Sequence, residues 1–330
     1  MIQAENGRRE SGRVNQVQGL YFDTVNTITA PCDRALLQAA MDRCRYYNDL
    51  LSKTVPGSDV WNCNHAQGRT TRVSGHTARI LKTALEMHRD SGGAFNIALG
   101  GATALWHFTD GAAELPDPDA LAEAAAHADC SRIRLEGNDV TMPPDMRIDL
   151  GGIAKGYIAD RIADELRGCG VTSALLNFGG NVVTVGNRPD GTPWRIGLQT
   201  PGAERGRSFW AYVPCSDGTL VTSGVYERSF EKDGVLYHHI LDPRTGWPVR
   251  NDVLTVTAAA KDSLLADAIT TALFVLGPEQ GFQLAQYYGV QAVYLLRGGE
   301  LRYSPGLALT LVSDALPGAL GAGESAAEQR

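Results

Sequence analysis

Asp149-Leu150-Gly151-Gly152-Ile153-Ala154-Lys155-Gly156-Tyr157-Ile158-Ala159-Asp160 is the stretch on which the reading of this chain turns. Residues 147–150 read as a strand end, a glycine pair follows, and an apolar periodicity predicts a helix over 153–168 that stops at glycine. A helix beginning directly after two glycines leaves its first N–H groups without intrahelical partners and lets bare backbone approach whatever lies there. An anion is the natural occupant of such a place. Lys155, in the first turn, is unfavourable at an empty helix N terminus but suits a bound phosphate. A tight strand-to-helix turn with a solvated lysine accounts for the segment equally well.

Working outward toward the C terminus, residues 171–185 read as two strands around a Gly179-Gly180 turn, and strands dominate to about residue 256. Residues 264–276 are nearly all apolar and predict a buried helix ending at Gly277-Pro278. A further helix is expected over 278–288 and a strand over 292–296. Within the buried helix, Asp267 and Thr271 stand four residues apart on one face. A carboxylate there is costly unless it is paired or binds a cation. Together with a hydroxyl it suits a hard, oxygen-seeking ion such as Mg²⁺. The plainer alternative makes Asp267 N-cap-like and bonds Thr271 back to a helix carbonyl. The metal is the preferred reading, because a bare Asp in this setting needs a partner.

Between these segments lie His238 and His239, then the turn Asp242-Pro243-Arg244-Thr245-Gly246. Adjacent strand residues face opposite sides, so at most one of the two rings serves a given site. A titratable ring beside a rigid turn fits base chemistry, although a lone histidine is more often structural.

Toward the N terminus, a strand is expected over 19–30 and an amphipathic helix over 32–52 with Asp33 as N-cap. A second helix is expected over 75–91, then a glycine-rich loop over 92–101. A short helix over 116–129 and a hairpin around Gly137-Asn138-Asp139 complete the first half. Helices and strands mix without strict alternation, so the fold class is α+β with mixed sheets and packed helices.

The chain has 330 residues, enough for a large core, with 43% hydrophobic and 20% charged content. A net charge of −7 argues against a nucleic-acid binder. It leaves room for a phosphate-rich ligand, since local N–H groups and one metal ion override a modest global charge. The six cysteines have no C-x-x-C pair or zinc spacing and read as reduced thiols. Residues 1–17 lack an apolar signal region, and no apolar run is long enough to span a membrane. The protein therefore reads as cytoplasmic as the sequence stands, and as extracytoplasmic if a leader or lipid anchor was trimmed. Residues 1–18 form a polar leader, and residues 319–330 read as a disordered tail. Between them, 19–318 form one domain or two intimately packed α/β lobes.

Six collinear blocks resemble the FAD:protein FMN transferase (ApbE) family over about residues 21–296. They are Gly93-Ala94-Phe95-Asn96 ahead of Trp106-His107-Phe108, Asp149 to Gly156, Asn177 to Asn181, Ser223 to Tyr226, His239 to Gly246, and Ala266 to Thr271. The resemblance implies an ApbE-like fold and Mg²⁺-dependent transfer of the FMN half of FAD to a Thr or Ser of an acceptor flavoprotein, with AMP released. It implies that Mg²⁺ is held by the side chains of Asp267 and Thr271 and the carbonyl of Gly152. Contacts to FAD, the substrate, would come from Phe22, Ala94, Phe95, Asn96, Asp149, Lys155 and Leu241. His239, rather than His238, falls where the family places its base. The chain departs from the family pattern at Asn96, where Asp is usual, and at Gly101, where Pro is frequent. At Thr54 transferases tend to carry Tyr and hydrolysing relatives a polar residue. That keeps an FAD pyrophosphatase as the alternative, with a non-catalytic FAD-binding protein behind it. Gly100-Gly101-Ala102-Thr103 lacks the serine of a Ser-Gly-Ala-Thr acceptor motif, so the expected acceptor is a separate protein bearing one.

Overall fold

The computed structural model describes residues 14–108, 113–204 and 206–312. The chain begins with β1 (Asn15–Tyr21) and β2 (Thr24–Ala30), then α1 (Arg34–Leu51), α2 (Asp59–Asn64), β3 (Thr71–Arg72) and α3 (Gly75–Asp90). The short α4 (Gly100–Thr103) and α5 (Pro118–Ala126) precede the hairpin β4 (Arg134–Glu136) and β5 (Asp139–Thr141). Next come α6 (Ala154–Gly168), β6 (Ala174–Phe178) and β7 (Asn181–Val185). The strand-rich stretch holds β8 (Trp194–Gln199), β9 (Phe209–Cys215), β10 (Thr219–Gly224), β11 (Ser229–Lys232), β12 (Val235–His238) and β13 (Val253–Ala260). The chain then forms α7 (Ser263–Tyr287), β14 (Gln291–Leu296), β15 (Leu301–Tyr303) and β16 (Thr310–Leu311).

An eight-stranded antiparallel sheet in the order β1-β2-β6-β7-β10-β13-β14-β15 is the backbone of the molecule. Its central β13, Val-Leu-Thr-Val-Thr-Ala-Ala-Ala, is buried along nearly its whole length, as an apolar run covered on both faces should be. Helices α6 and α7 pack against one another and against β7, β10 and β13. Smaller sheets, β16-β9-β8, β11-β12 and β3-β5-β4, flank this layer. The mixed helix-and-sheet architecture is the α+β class expected.

Most predicted elements are found within a residue or two, and Asp33 caps α1 by accepting from Ala35 N at 2.9 Å. The strand expected over 19–30 is instead a hairpin that starts at Asn15, inside the stretch read as leader. Its turn residues are Phe22 (φ 57°) and Asp23 (φ 56°), between the paired Tyr21 and Thr24. Two-residue hairpin turns of this kind normally use Asn or Gly, so the usual signal is missing. The two helices expected around Gly277-Pro278 are both present within α7, parted at Gly277, whose φ of 72° and ψ of 178° are not helical. Residues 1–13 of the leader and the tail over 319–330 lie outside the described residues. None of the six cysteines is in a disulfide. Among the described residues, no helix is long and apolar enough to cross a membrane.

Candidate functional site

The junction of α6 and α7 is built around a glycine. A Cβ on Gly156 would lie 2.0 Å from Ser263 O and 2.8 Å from Asp267 Cβ, so only glycine lets the helices approach this closely. The close approach brings the buried Asp267 carboxylate to the start of α6, where Oδ2 accepts from Gly156 N at 2.9 Å. The anion expected at that helix start is thus in part a protein carboxylate, reaching across from α7. The other oxygen, Oδ1, lies 3.5 Å from Lys155 Nζ, and that ammonium donates to Gly151 O at 2.8 Å. Asp160, five residues along α6 from Lys155, returns the contact by accepting from Ser263 N at 2.9 Å and Leu264 N at 3.0 Å. Each helix therefore caps the other.

Thr270, not Thr271, bonds back into its own helix, donating to Asp267 O at 2.9 Å. Thr271 faces the glycine pair: a Cβ built on Gly152 would lie 3.4 Å from Thr271 Oγ1 and 3.6 Å from Phe95 Cε2. Among the described residues there is no cluster of three or more His, Cys, Asp or Glu side chains. One carboxylate, one hydroxyl and a nearby backbone carbonyl would not form such a cluster. They do match the sparse oxygen set with which proteins hold Mg²⁺ beside a phosphate. A cationic ammonium already rests against Asp267 Oδ1, which marks the spot as one that attracts positive charge.

Asp149 anchors the other side of the glycine pair. Its Oδ1 accepts from Gly151 N at 2.8 Å, and its Oδ2 accepts from Lys53 Nζ at 2.6 Å and Thr103 Oγ1 at 3.2 Å. Burial pushes this carboxyl up, but the Lys53 ammonium and these donors outweigh it and hold it below the ordinary value. Residues 97–100 run beside 147–149, with Asp149 N donating to Ile97 O and Gly100 N to Arg147 O. That pairing carries the buried Ala94 and Phe95 to the site. The Asn96 side chain is engaged on the far side: Nδ2 donates to Ala128 O at 2.7 Å, while Oδ1 accepts from Ala98 N and Cys130 Sγ. What Asn96 can offer a ligand is its backbone. Leu241 is buried and forms an antiparallel bridge with Pro248.

The two histidines part as strand geometry requires. His238 is buried, its Nε2 donating to Val249 O at 3.1 Å and its ring edge-on to Phe274 at 5.6 Å. Burial pushes it down to about 4. His239 sits on the other side, with Nδ1 3.3 Å from Arg228 O. A carbonyl only accepts, so this contact assigns the proton to Nδ1 and leaves Nε2 as the free lone pair. Burial, with the cationic Arg228 and Lys155 and the ring of His238, pushes His239 down to about 3, so it is neutral at physiological pH. Arg228 also donates from Nη2 to Phe22 O at 3.1 Å, while Phe22 N donates to Asn48 Oδ1 at 3.0 Å. The strained hairpin turn is thereby tied to the histidine. The Asp242–Gly246 turn is present, with Gly246 N donating to Asp242 O at 2.8 Å. Trp106 Nε1 donates to Gly246 O at 3.0 Å, which seats the turn on the aromatic block.

Lys53, Arg228 and the clamp of Asn64 on Ile148 were not singled out in the sequence, and Thr103 was named there only within the incomplete acceptor-like run. Lys53 adjoins Thr54, and Arg228 lies two residues past the Ser223–Tyr226 block, but neither spacing carries a chemical signal by itself.

Residues 22–294 match the ApbE family. An FAD:protein FMN transferase of Klebsiella pneumoniae is 37% identical over 288 residues, spanning 83% of this chain and 88% of that protein. One of Treponema pallidum is 39% identical over 245 residues, 69% of this chain and 67% of the relative. The crystal structure of the ApbE protein from Thermotoga maritima superposes with a TM-score of 0.80 at 30% identity. It covers 89% of this chain and 97% of its own. The flavin transferase ApbE from Vibrio cholerae gives 0.79 at 29% identity, over 89% and 98%.

Proposed function

The chain belongs to the ApbE family and is an FAD:protein FMN transferase, and from that premise we propose that its catalytic centre is the α6–α7 junction together with His239. In this reading Asp267, Thr271 and the Gly152 carbonyl would hold Mg²⁺. Lys155 meets the FAD diphosphate, and Ala94, Phe95, Asn96, Asp149, Leu241 and Phe22 line the flavin side. When bound, Mg²⁺ supplies positive charge against the negative charge that builds on the diphosphate during displacement.

His239 Nε2 takes the proton of a Ser or Thr hydroxyl on the acceptor protein. The hydroxyl oxygen forms a bond to the FMN phosphorus, and the phosphorus–oxygen bond to AMP breaks. The neutral ring is in the form that accepts a proton. An approaching diphosphate raises its affinity for one by offsetting Arg228 and Lys155. Positioning and charge stabilisation carry most of such phosphoryl chemistry. The observation that carries the reading is the buried Asp267 carboxylate, with one oxygen fixed by Gly156 N–H and the other turned to a cation.

Incubation with FAD and Mg²⁺, with and without an acceptor flavoprotein, tests it. AMP release that requires the acceptor, together with a fluorescent covalent acceptor band, is expected. AMP released equally fast without acceptor, and no band, would make the protein an FAD pyrophosphatase instead.

A further inference from the structure

We propose that Lys155 is a built-in counter-cation for Asp267 that must leave when a divalent ion arrives, so that metal and diphosphate enter the site as a coupled pair. The inference rests on the reading of Asp267 as the metal-binding carboxylate. The residue Asp267 is only 4% exposed, and a buried carboxylate needs compensating charge. Gly156 N–H takes Oδ2, so Oδ1 is the oxygen left for a cation, and Lys155 Nζ already lies 3.5 Å from it. That separation is an ion pair without a tight hydrogen bond; the ammonium's short bond is to Gly151 O at 2.8 Å. Lysine is therefore held beside the carboxylate but not locked to it.

A magnesium ion on Oδ1 would stand about 2.1 Å from that oxygen, inside the distance the ammonium keeps. Two cations gathered on one carboxylate oxygen repel each other, so the ammonium opposes the metal and is driven outward as it binds. Its flexible four-carbon stem allows this, and the side chain is partly exposed. A diphosphate arriving at the same place gives the displaced ammonium a new anionic partner. Each ligand then removes the obstacle to the other, and by linkage each raises the other's affinity by the same factor. A lysine that merely binds phosphate would raise FAD affinity without opposing the metal. One that guards the carboxylate opposes the metal whenever the diphosphate is missing.

The test is titration of Mn²⁺ into the EDTA-treated full chain, followed by electron paramagnetic resonance, with and without FAD. Wild type, Lys155→Gln and Lys155→Arg are compared. The glutamine variant should bind Mn²⁺ alone on the order of tenfold more tightly than wild type, and FAD should strengthen Mn²⁺ binding by a correspondingly smaller factor. The arginine variant keeps the charge and should oppose binding of Mn²⁺ alone at least as strongly as wild type. Without metal, Lys155→Gln should also melt at a lower temperature, and Mn²⁺ should restore more of its stability than it adds to wild type. Glutamine-variant affinity for Mn²⁺ no tighter than wild type, or an unchanged coupling factor, would overturn the lysine's role and leave the metal site standing. No Mn²⁺ binding to wild type, even with FAD, would overturn the site reading and this inference with it.

Discussion

His238, the last residue of β12, and His239, the next, have different surroundings, and different consequences are expected from replacing them. His239→Ala should lower FMN transfer by about 10²- to 10⁴-fold, the usual contribution of a general base, while the melting temperature stays close to wild type. His238→Gln should do the reverse. It removes a buried ring from Phe274 and the Val249 carbonyl, lowering stability by about 1–3 kcal/mol with most activity kept. The sign of the pH effect follows from burial. The native His238 ring titrates near 4 and the unfolded one near 6.5, so as pH falls below about 6.5 the unfolded chain takes up a proton that the folded chain refuses. Its contribution is complete above 6.5 and is lost toward pH 4, at up to about 1.4 kcal/mol per pH unit. Urea unfolding between pH 4.5 and 6.5 should therefore show a shallower slope for His238→Gln than for wild type. The alternation of strand residues was legible in the sequence; which ring faced the core was not, because that depends on Val249 and Phe274 arriving from elsewhere.

At the scale of elements, α6 and α7 act as one clamp. Gly156→Ala would push a methyl group into Ser263 O and Asp267 Cβ, so the helices must separate. Calorimetry should show a loss of about 1–3 kcal/mol, and divalent-ion affinity should fall with it, because Asp267 is carried on the displaced helix. Asp160 makes the complementary contact. Burial raises its carboxyl to about 7, against its two N–H donors. A raised carboxyl stabilises the fold most at low pH and loses that contribution as pH climbs from about 4 to about 7. Asp160→Asn should therefore gain on wild type across that window and show a constant difference above it, read from melting temperatures across pH. A constant difference throughout would mean Asp160 titrates normally. Both helices were readable from apolar periodicity and the Gly277-Pro278 stop. The β1–β2 turn was not, because Phe22 and Asp23 occupy positions where glycine or asparagine gives the usual signal.

Across the whole molecule, the site is assembled from segments far apart in the chain. In the proposed site Lys53 bonds to Asp149, Thr271 and Phe95 border Gly152, and Arg228 and Lys155 both bear on the His239 ring. Local pattern could nominate the Asp149 block and Asp267 separately, since each is chemically unusual where it stands. It could not nominate Lys53 or Arg228, whose roles exist only through partners 96 and 206 residues away. The central claim is that one cation and one diphosphate meet at the α6–α7 junction. Its most direct test is an anomalous-scattering map of crystals grown with FAD and Mn²⁺. The expected result is a single strong manganese peak within coordination distance of Asp267 and Thr271, touching the diphosphate. A peak elsewhere, with the diphosphate bound away from Asp267, would contradict it.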